Sequence, residues 1–107
     1  MRLLVAGGLA LLLASPPAAR ADDLGRRVFT QIAQPSCALC HTLAAAGAAG
    51  TLGPSLDELK PDKERALQVL RNGSGVMPPF ADKLTPEQIE AVAVFIAKAA
   101  GSGASSR

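Results

Sequence analysis

The sequence predicts an all-α fold in a single small domain. In several segments apolar residues recur at the i, i+3 and i+4 spacing of a helix, and helix-capping residues stand where those segments begin. No segment alternates apolar and polar residues for long, as a half-buried strand would. Because 107 residues leave room for only one domain, we expect three or four helices around one core.

The N-terminal segment predicts export. Met1–Arg2 is a short positive region, Leu3–Ala14 is an uncharged apolar run, and Ala19–Ala21 fits the small-x-small rule for cleavage before Asp22. The alternative is a membrane anchor, but a run of about twelve residues is shorter than the roughly twenty that span a bilayer. We therefore expect residues 1–21 to be a cleaved secretory signal peptide and the mature protein to be periplasmic.

The charge pattern argues against a nucleic-acid partner. The whole chain carries eleven Lys and Arg against nine Asp and Glu, a formal net charge of +2. Arg2 and Arg20 lie in the predicted leader, whereas all nine acidic residues follow it, so the mature chain is neutral. The sequence shows no cluster of basic residues of the kind that contacts phosphates.

The first helix is predicted over Asp22–Ala33, and Pro35 ends it. The acidic pair Asp22–Asp23 stands at its start, where the helix dipole favours negative charge. Its apolar stripe consists of Leu24, Val28 and Ile32. The Ala- and Gly-rich segment Leu43–Gly53 is expected to be a loop that wraps around the core rather than packing into it.

A second helix is predicted to have Pro61 in its first turn and to stop at Asn72–Gly73. Asp62 and Glu64 would lie in the first turn and Arg71 near the end. Its inward-facing residues would be Leu67 and Leu70.

The last helix has the clearest start signal. Thr85 is a good N-cap, Pro86 suits the first position, and Gln88 stands in the capping-box position. Gly101 closes this helix, and its apolar face consists of Ile89, Val92, Ala93 and Ile96. The folded domain is therefore predicted over residues 22–100, with a disordered tail at 101–107.

The predicted core lacks large side chains. The chain has three Phe and neither Trp nor Tyr, and domains of this size usually need a disulfide, a metal or another staple. We therefore expect a non-protein group to occupy the middle of the fold.

Both cysteines and the only histidine form one C-x-x-C-H motif of Cys37, Cys40 and His41. Structural zinc needs four ligands, and this set supplies three. A thioredoxin-like pair belongs in a βαβ setting, which the pattern lacks. A disulfide across so short a loop would gain little chain entropy and leave His41 unexplained. The remaining interpretation is attachment of c-type haem, with two thioether bonds and His41 on the iron.

Met77 is the expected second axial ligand. The chain has no other histidine, and Met1 leaves with the leader. Gly73 and Gly75 before Met77 and Pro78–Pro79 after it predict a loop, although a methionine that fills a gap in the core is the alternative. A thioether suits ferrous iron and raises its potential.

These features resemble those of the class I c-type cytochromes across the whole mature chain. The C-x-x-C-H motif follows the first helix, GPSL (Gly53–Leu56) follows the loop, GVMPPF carries the methionine, and a capped helix ends the chain. The resemblance implies a cytochrome c fold around one covalently bound haem c. It also implies that the Pro54 carbonyl accepts a hydrogen bond from His41, and that the first and last helices cross at Gly25, Phe29 and Phe95.

The sequence segments around the motif and around Met77 are also similar to those of the monohaem subunits that accept electrons from periplasmic sulfite dehydrogenases. Unlike mitochondrial members, the chain has no Trp to bond a haem propionate and no Lys-rich face. The propionates would give the loaded protein a charge of about −2. The candidates for an uncharged contact ring are Ala38, Leu39, Ala44–Ala46 and Pro78–Phe80, and the alternative for each of them is an ordinary core or loop residue.

The expected function is that of a periplasmic one-electron carrier and not of an enzyme, because two filled axial positions leave no place for a substrate. Its partners would be redox proteins, with a dehydrogenase as donor and an oxidase or cytochrome as acceptor, and it would meet a membrane only if the leader stayed uncleaved. One alternative is a permanent haem subunit of a larger oxidoreductase such as sulfite dehydrogenase. The other is a peroxidase or gas sensor in which Met77 is a labile ligand.

Overall fold

The computed structural model describes residues 7–8 and 17–101, so most of the predicted signal peptide and of the predicted tail lies outside the described residues. The described part is mainly helical, as predicted. Its elements are α1 (Pro17–Arg27) continued by a π-helical turn (Val28–Ile32), α2 (Cys37–Cys40), β1 (Thr42–Leu43), a 3-10 turn (Ala44–Ala46), β2 (Ala48–Ala49), α3 (Leu56–Leu59), α4 (Lys63–Asn72) and α5 (Pro86–Ala99).

The first helix starts earlier than predicted. Helix α1 begins at Pro17 instead of Asp22, and no acidic residue lies in its first turn, so the expected dipole contact of Asp22–Asp23 is absent from this uncleaved chain. Proline fits a first helical position, and the alanines that follow are strong helix formers, so the helix extends back into the predicted leader. Cleavage after Ala21 would return the acidic pair to the start of the helix.

The crossing of the first and last helices is confirmed. A Cβ atom on Gly25 would lie 2.5 Å from both the Ala91 carbonyl oxygen and Phe95 Cβ, so the absence of a side chain lets the two helices touch. Next to this contact the rings of Phe29 and Phe95 meet edge to face, with centroids 6.0 Å apart. The guanidinium carbon of Arg26 lies 5.1 Å from the centre of the Phe95 ring and covers this contact.

Helix α4 begins two positions later than predicted, at Lys63 instead of Pro61. Asp62 is its N-cap and accepts a hydrogen bond from the Arg65 amide at 2.8 Å, so Pro61 precedes the helix instead of lying in its first turn. Leu67 and Leu70 are buried, as predicted. The side chains of Lys63 in α4 and Glu90 in α5 form an exposed ion pair, and the hydrogen bond with Glu90 raises the pKa of Lys63.

Helix α5 has the predicted capping box. The Thr85 hydroxyl accepts from the Gln88 amide at 3.1 Å, and the Gln88 side chain accepts from the Thr85 amide at 2.9 Å. Pro86 follows the cap, and Gly101 has a positive φ of 68° just beyond the helix. The predicted apolar face is buried; it consists of Ile89, Val92, Ala93 and Ile96.

Replacing Thr85 by alanine is expected to lower the free energy of unfolding by about 1 kcal/mol, because the Gln88 amide loses its acceptor. For a domain of this size that loss lowers the melting temperature by about 4–8 °C. Thermal unfolding followed by circular dichroism measures it. Thr85→Ser should restore most of the stability, and Thr51→Ala, at an exposed threonine, should change little. Equal melting temperatures for the Thr85→Ala and Thr51→Ala variants would contradict the role of the cap.

The segment Leu43–Gly53 packs more than predicted. Thr42 pairs with Ala49 and Leu43 with Ala48 in a two-stranded antiparallel hairpin, so the all-α prediction misses a small sheet. Leu43 is fully buried and Ala48 nearly so. The two strands are too short to show an alternating pattern, which is why the sequence did not reveal them.

The core lies between α1, α4 and α5 and extends to the hairpin. It is built from small and aliphatic side chains with the three phenylalanines: Phe29, Phe80 and Phe95 are all buried. Among the described residues, no helix is long and apolar enough to cross a membrane.

Candidate functional site

The two cysteines lie on one short helical turn. Ser36 caps α2, since its hydroxyl accepts from the Ala38 amide at 3.3 Å, and the same hydroxyl donates to the Phe29 carbonyl at 3.1 Å. The turn is thereby attached to the end of the first helix. Cys37 and Cys40 are three residues apart, the spacing that brings two side chains to the same face of a helix, and both are free thiols.

The two thiols differ in exposure. Cys37 is 9% exposed, whereas Cys40 is only half-buried. The pKa of the Cys37 thiol is raised to about 11, mainly by burial; a backbone hydrogen bond lowers it, and the neighbouring Cys40 adds a smaller rise. The free Cys37 thiol is therefore protonated at neutral pH. A thioether does not ionise, so the attached form of this residue suits an apolar position better than a thiolate would.

His41 follows the cysteine turn directly. Its amide donates to the Cys37 carbonyl at 3.0 Å, and its backbone is extended, with φ −114° and ψ 142°. Its ring nitrogen Nδ1 lies 2.7 Å from the Pro54 carbonyl oxygen. Because a carbonyl only accepts, Nδ1 carries the proton, and the lone pair is on Nε2. Nε2 is therefore the ring nitrogen that is available to bind a metal, and Pro54 sets the orientation of the ring.

Two glycines that were not among the predicted site residues shape this side of the site. A Cβ atom on Gly53 would lie 2.8 Å from His41 Cε1, and one on Gly50 would lie 2.6 Å from the Leu39 carbonyl oxygen. The Gly53 amide also donates to the Cys40 carbonyl at 2.7 Å. The loop therefore lies flat against the cysteine turn and the histidine ring. The only sequence signal for this packing was the position of Gly53 in the GPSL motif.

Met77 lies on a separate loop between α4 and α5, as predicted. Its amide and carbonyl pair with those of Ser74, at 2.9 and 3.0 Å, to form a tight turn. Gly73 precedes this turn with a φ of +75°, and a Cβ atom there would lie 2.8 Å from the Met77 carbonyl oxygen. The Met77 side chain is half-buried and packs against the core. The backbone around the thioether is thus fixed by hydrogen bonds and by a glycine that cannot easily be replaced.

The predicted uncharged contact ring needs one correction. Phe80 is 2% exposed, and its amide donates to the Leu70 carbonyl at 2.7 Å, so it belongs to the core. Leu39 is 60% exposed and keeps its place in the ring. Val76 and Leu52 are 99% and 75% exposed and were not predicted. Large apolar side chains therefore lie exposed beside the cysteine turn, beside the Pro54 loop and beside Met77.

The residues at this site fit a covalently attached haem. Two free thiols share one face of a turn, a histidine with an oriented ring follows at once, and a methionine stands on a glycine-shaped loop. A nitrogen and a thioether sulfur form a usual axial pair for haem iron. In the described part of the chain, no group of three or more His, Cys, Asp or Glu is placed to hold a metal ion. A His/Met pair differs from such a group, because it binds the iron of a haem and not a free metal ion.

Comparison with known proteins agrees with this geometry. Residues 20–96 match the family described as cytochrome C oxidase, cbb3-type, subunit III. The chain is 31% identical over 106 residues to cytochrome c6 of Thermosynechococcus vestitus, a match that covers 89% of this chain and 87% of that protein. It is 51% identical to the crystal structure of the c-type cytochrome SorU from Sinorhizobium meliloti, with a TM-score of 0.74 over 78% of this chain and 94% of that one. The chain therefore belongs to this cytochrome c family, as a small class I c-type cytochrome that transfers electrons through one covalently bound haem c.

Proposed function

We propose that this protein is a periplasmic one-electron carrier whose haem iron is held by His41 and Met77. It would take electrons from a dehydrogenase and pass them to an oxidase or another cytochrome. The observation that carries the proposal is the 2.7 Å contact between His41 Nδ1 and the Pro54 carbonyl, made directly beside the two cysteines. That contact leaves Nε2 as the ring nitrogen that binds iron.

On the proximal side, Cys37 and Cys40 would hold the haem through two thioethers, so the cofactor could not dissociate. When bound, the haem supplies a one-electron iron couple. The Pro54 carbonyl accepts a hydrogen bond from His41 Nδ1–H, which would make the ring a stronger electron donor and favour ferric iron. Gly53 leaves the space in which the ring lies.

On the distal side, the Met77 sulfur would fill the sixth position and favour ferrous iron. Its backbone is held by the Ser74 pairing and by Gly73, so the loop that would carry this ligand is fixed in place. With His41 and Met77 both bound to the iron, a substrate would have no position on the metal. Electron transfer without substrate chemistry follows from this ligand set, and we therefore propose that the protein is not an enzyme by itself.

Replacing Met77 by alanine is expected to remove the weak near-red ferric absorption band of Met-ligated haem while the haem stays attached. The midpoint potential should fall by more than the roughly 59 mV that correspond to a tenfold change in a one-electron equilibrium. Absorption spectra of the oxidised and reduced periplasmic protein, with a redox titration, measure both. Val76→Ala is the matched control, because Val76 is the neighbouring residue and is 99% exposed.

Three outcomes would contradict the proposal in different ways. Absence of covalent haem would remove the electron carrier altogether. Haem without the near-red band in the parent protein, together with CO binding by its reduced form at neutral pH, would favour a sensor or peroxidase. An unchanged band in the Met77→Ala protein would assign the sixth ligand to another group.

A permanently docked haem subunit of a larger periplasmic oxidoreductase, such as sulfite dehydrogenase, is the second candidate. Exposed Leu39, Leu52 and Val76 favour it, because stable interfaces are more apolar than transient ones. Sedimentation of the protein from its native periplasm distinguishes the two. A free carrier sediments alone, as a protein smaller than the uncleaved chain of 10.9 kDa, whereas a subunit sediments with its enzyme. If the leader at residues 1–21 is retained, the haem protein appears instead in the membrane fraction.

A further inference from the structure

The loop that carries Pro54 is held at both ends by side chains that have no place in the ligand set. Before Pro54, the Thr42 hydroxyl donates to the Gly50 carbonyl at 2.8 Å. After Pro54, the Asp57 carboxylate accepts from the Ala44 amide at 2.8 Å. Both bonds tie the loop to the segment that directly follows His41. We propose that Thr42 and Asp57 are positioning residues that set the hydrogen bond between His41 and Pro54 and, through it, the redox potential.

Thr42 controls the start of the loop. It is the residue after His41 and lies in β1, paired with Ala49, so its backbone is fixed by the hairpin. Its half-buried hydroxyl bonds the Gly50 carbonyl just where the chain leaves β2. Without this bond, only the hairpin would hold the start of the loop. The next contact along the chain would be the hydrogen bond from the Gly53 amide to the Cys40 carbonyl.

Asp57 controls the end of the loop. It lies in α3, the one-turn helix that starts just after Pro54 and is capped by Ser55. Its carboxylate reaches across to the Ala44 amide, at the first residue of the 3-10 turn after β1. Hydrogen bonds to a charged acceptor are the stronger kind, and although this one is exposed, the Asp57 side chain that accepts it is half-buried. The helix, and with it the Pro54 carbonyl, is thereby held against the segment that continues from His41.

The physical consequence concerns one distance. The Pro54 carbonyl lies 2.7 Å from His41 Nδ1, and the loop that carries it is attached on both sides of this contact. If either attachment is lost, the loop relaxes outward and this bond lengthens, because the exposed residues Thr51 and Leu52 offer no packing that would replace it. A weaker acceptor makes His41 a poorer donor to the iron and raises the potential. This inference rests on the proposed ligation of iron by His41.

The experiment compares Thr42→Val and Asp57→Ala with their conservative counterparts in the haem-loaded protein. Thr42→Val keeps the shape and removes the hydroxyl; Thr42→Ser restores it. Asp57→Ala removes the acceptor; Asp57→Asn removes the charge but keeps an acceptor oxygen. The readouts are the midpoint potential and the NMR shift of the His41 Nδ1 proton, which reports the strength of its hydrogen bond directly.

The matched controls are Thr51→Val and Glu58→Gln. Thr51 is an exposed threonine of the same loop, and Glu58 is the exposed carboxylate next to Asp57. Glu58→Gln measures the effect of removing one negative charge near the haem, which must be separated from the effect of the lost hydrogen bond.

The expected result is that Thr42→Val and Asp57→Ala each shift the Fe(II)/Fe(III) equilibrium toward Fe(II) by about threefold to tenfold, tenfold being about 59 mV. The Nδ1 proton should move upfield in both variants. Thr42→Ser should have the midpoint potential of the parent, and Asp57→Asn should have that of Glu58→Gln. If Thr42→Val does not yield folded protein, the Asp57→Ala and Asp57→Asn pair still tests the proposal.

Two results would overturn the inference. Potentials and Nδ1 signals equal to those of the controls, with only the melting temperature lowered, would make Thr42 and Asp57 purely structural residues. An equal potential shift in Asp57→Ala, Asp57→Asn and Glu58→Gln would show that charge alone acts. In both cases the parent keeps its near-red band and the proposed ligands stand, whereas a parent without His41 ligation removes the proposed function and this inference together.

Discussion

Replacing Gly25 by alanine is expected to lower the free energy of unfolding by about 3 kcal/mol, near the upper end of what overpacking of a core costs. The new Cβ atom would lie 2.5 Å from the Ala91 carbonyl oxygen and from Phe95 Cβ. Neither atom can move unless α1 and α5 separate, and separation would also loosen the edge-to-face contact of Phe29 with Phe95.

The sign of this effect is diagnostic. Alanine is a better helix former than glycine by about 1 kcal/mol, so helix propensity alone predicts a more stable protein. Arg27→Ala, at an exposed position of the same helix, is the matched control and should stay within about 0.5 kcal/mol of the parent. Denaturant unfolding of the haem-loaded proteins measures the free energy of unfolding of the parent, of Gly25→Ala and of Arg27→Ala. A Gly25→Ala protein at least as stable as the parent would show that the helices are not in contact at this residue.

Replacing Gly53 by alanine is expected to disturb the histidine rather than the backbone. The new Cβ atom would lie 2.8 Å from His41 Cε1 and 3.1 Å from Nδ1. With the proposed bond to iron on one side and the hydrogen bond to Pro54 on the other, the ring would have no direction in which to yield. We expect a loss of about 1–3 kcal/mol of stability, a lower yield of haem protein, and a weaker His41–Pro54 hydrogen bond.

The measurements for Gly53→Ala are the haem content per protein, the unfolding free energy and the His41 Nδ1 proton shift. Leu52→Ala is the matched control, because Leu52 is the preceding residue and is 75% exposed. An unchanged Nδ1 signal in a fully loaded Gly53→Ala protein would mean that the loop, not the ring, moves to make room. The close contact of Gly53 with His41 would then have no part in orienting the ligand.

Most of the helical architecture was readable from the sequence because its signals are local. The capping box of Thr85 and Gln88 and the buried stripe of the last helix depend on residues within one or two turns. The C-x-x-C-H motif is equally local, and its three side chains need only one helical turn to come together. Met77 could be placed on a loop because glycines and prolines surround it.

The errors occurred where one segment depends on another. Helix α1 starts at Pro17 because the helix continues through the alanines of residues 18–21, which are predicted to belong to a cleaved signal peptide. Phe80 looked like an exposed member of the contact ring, but a backbone bond to Leu70 carries it into the core. The strands β1 and β2 are too short to show an alternation of apolar and polar residues in the sequence.

The sequence by itself determined the chemistry of this protein: two thiols, a histidine and a methionine at spacings that suit one haem, in a chain with too few large side chains to fill its own core. The tertiary structure alone decided how those groups are held. The contacts of Gly53 with His41, of Thr42 with Gly50 and of Asp57 with Ala44 join residues eight to thirteen positions apart. Local propensities carry no information about such contacts, because they exist only after the Pro54 loop has folded back onto the cysteine turn.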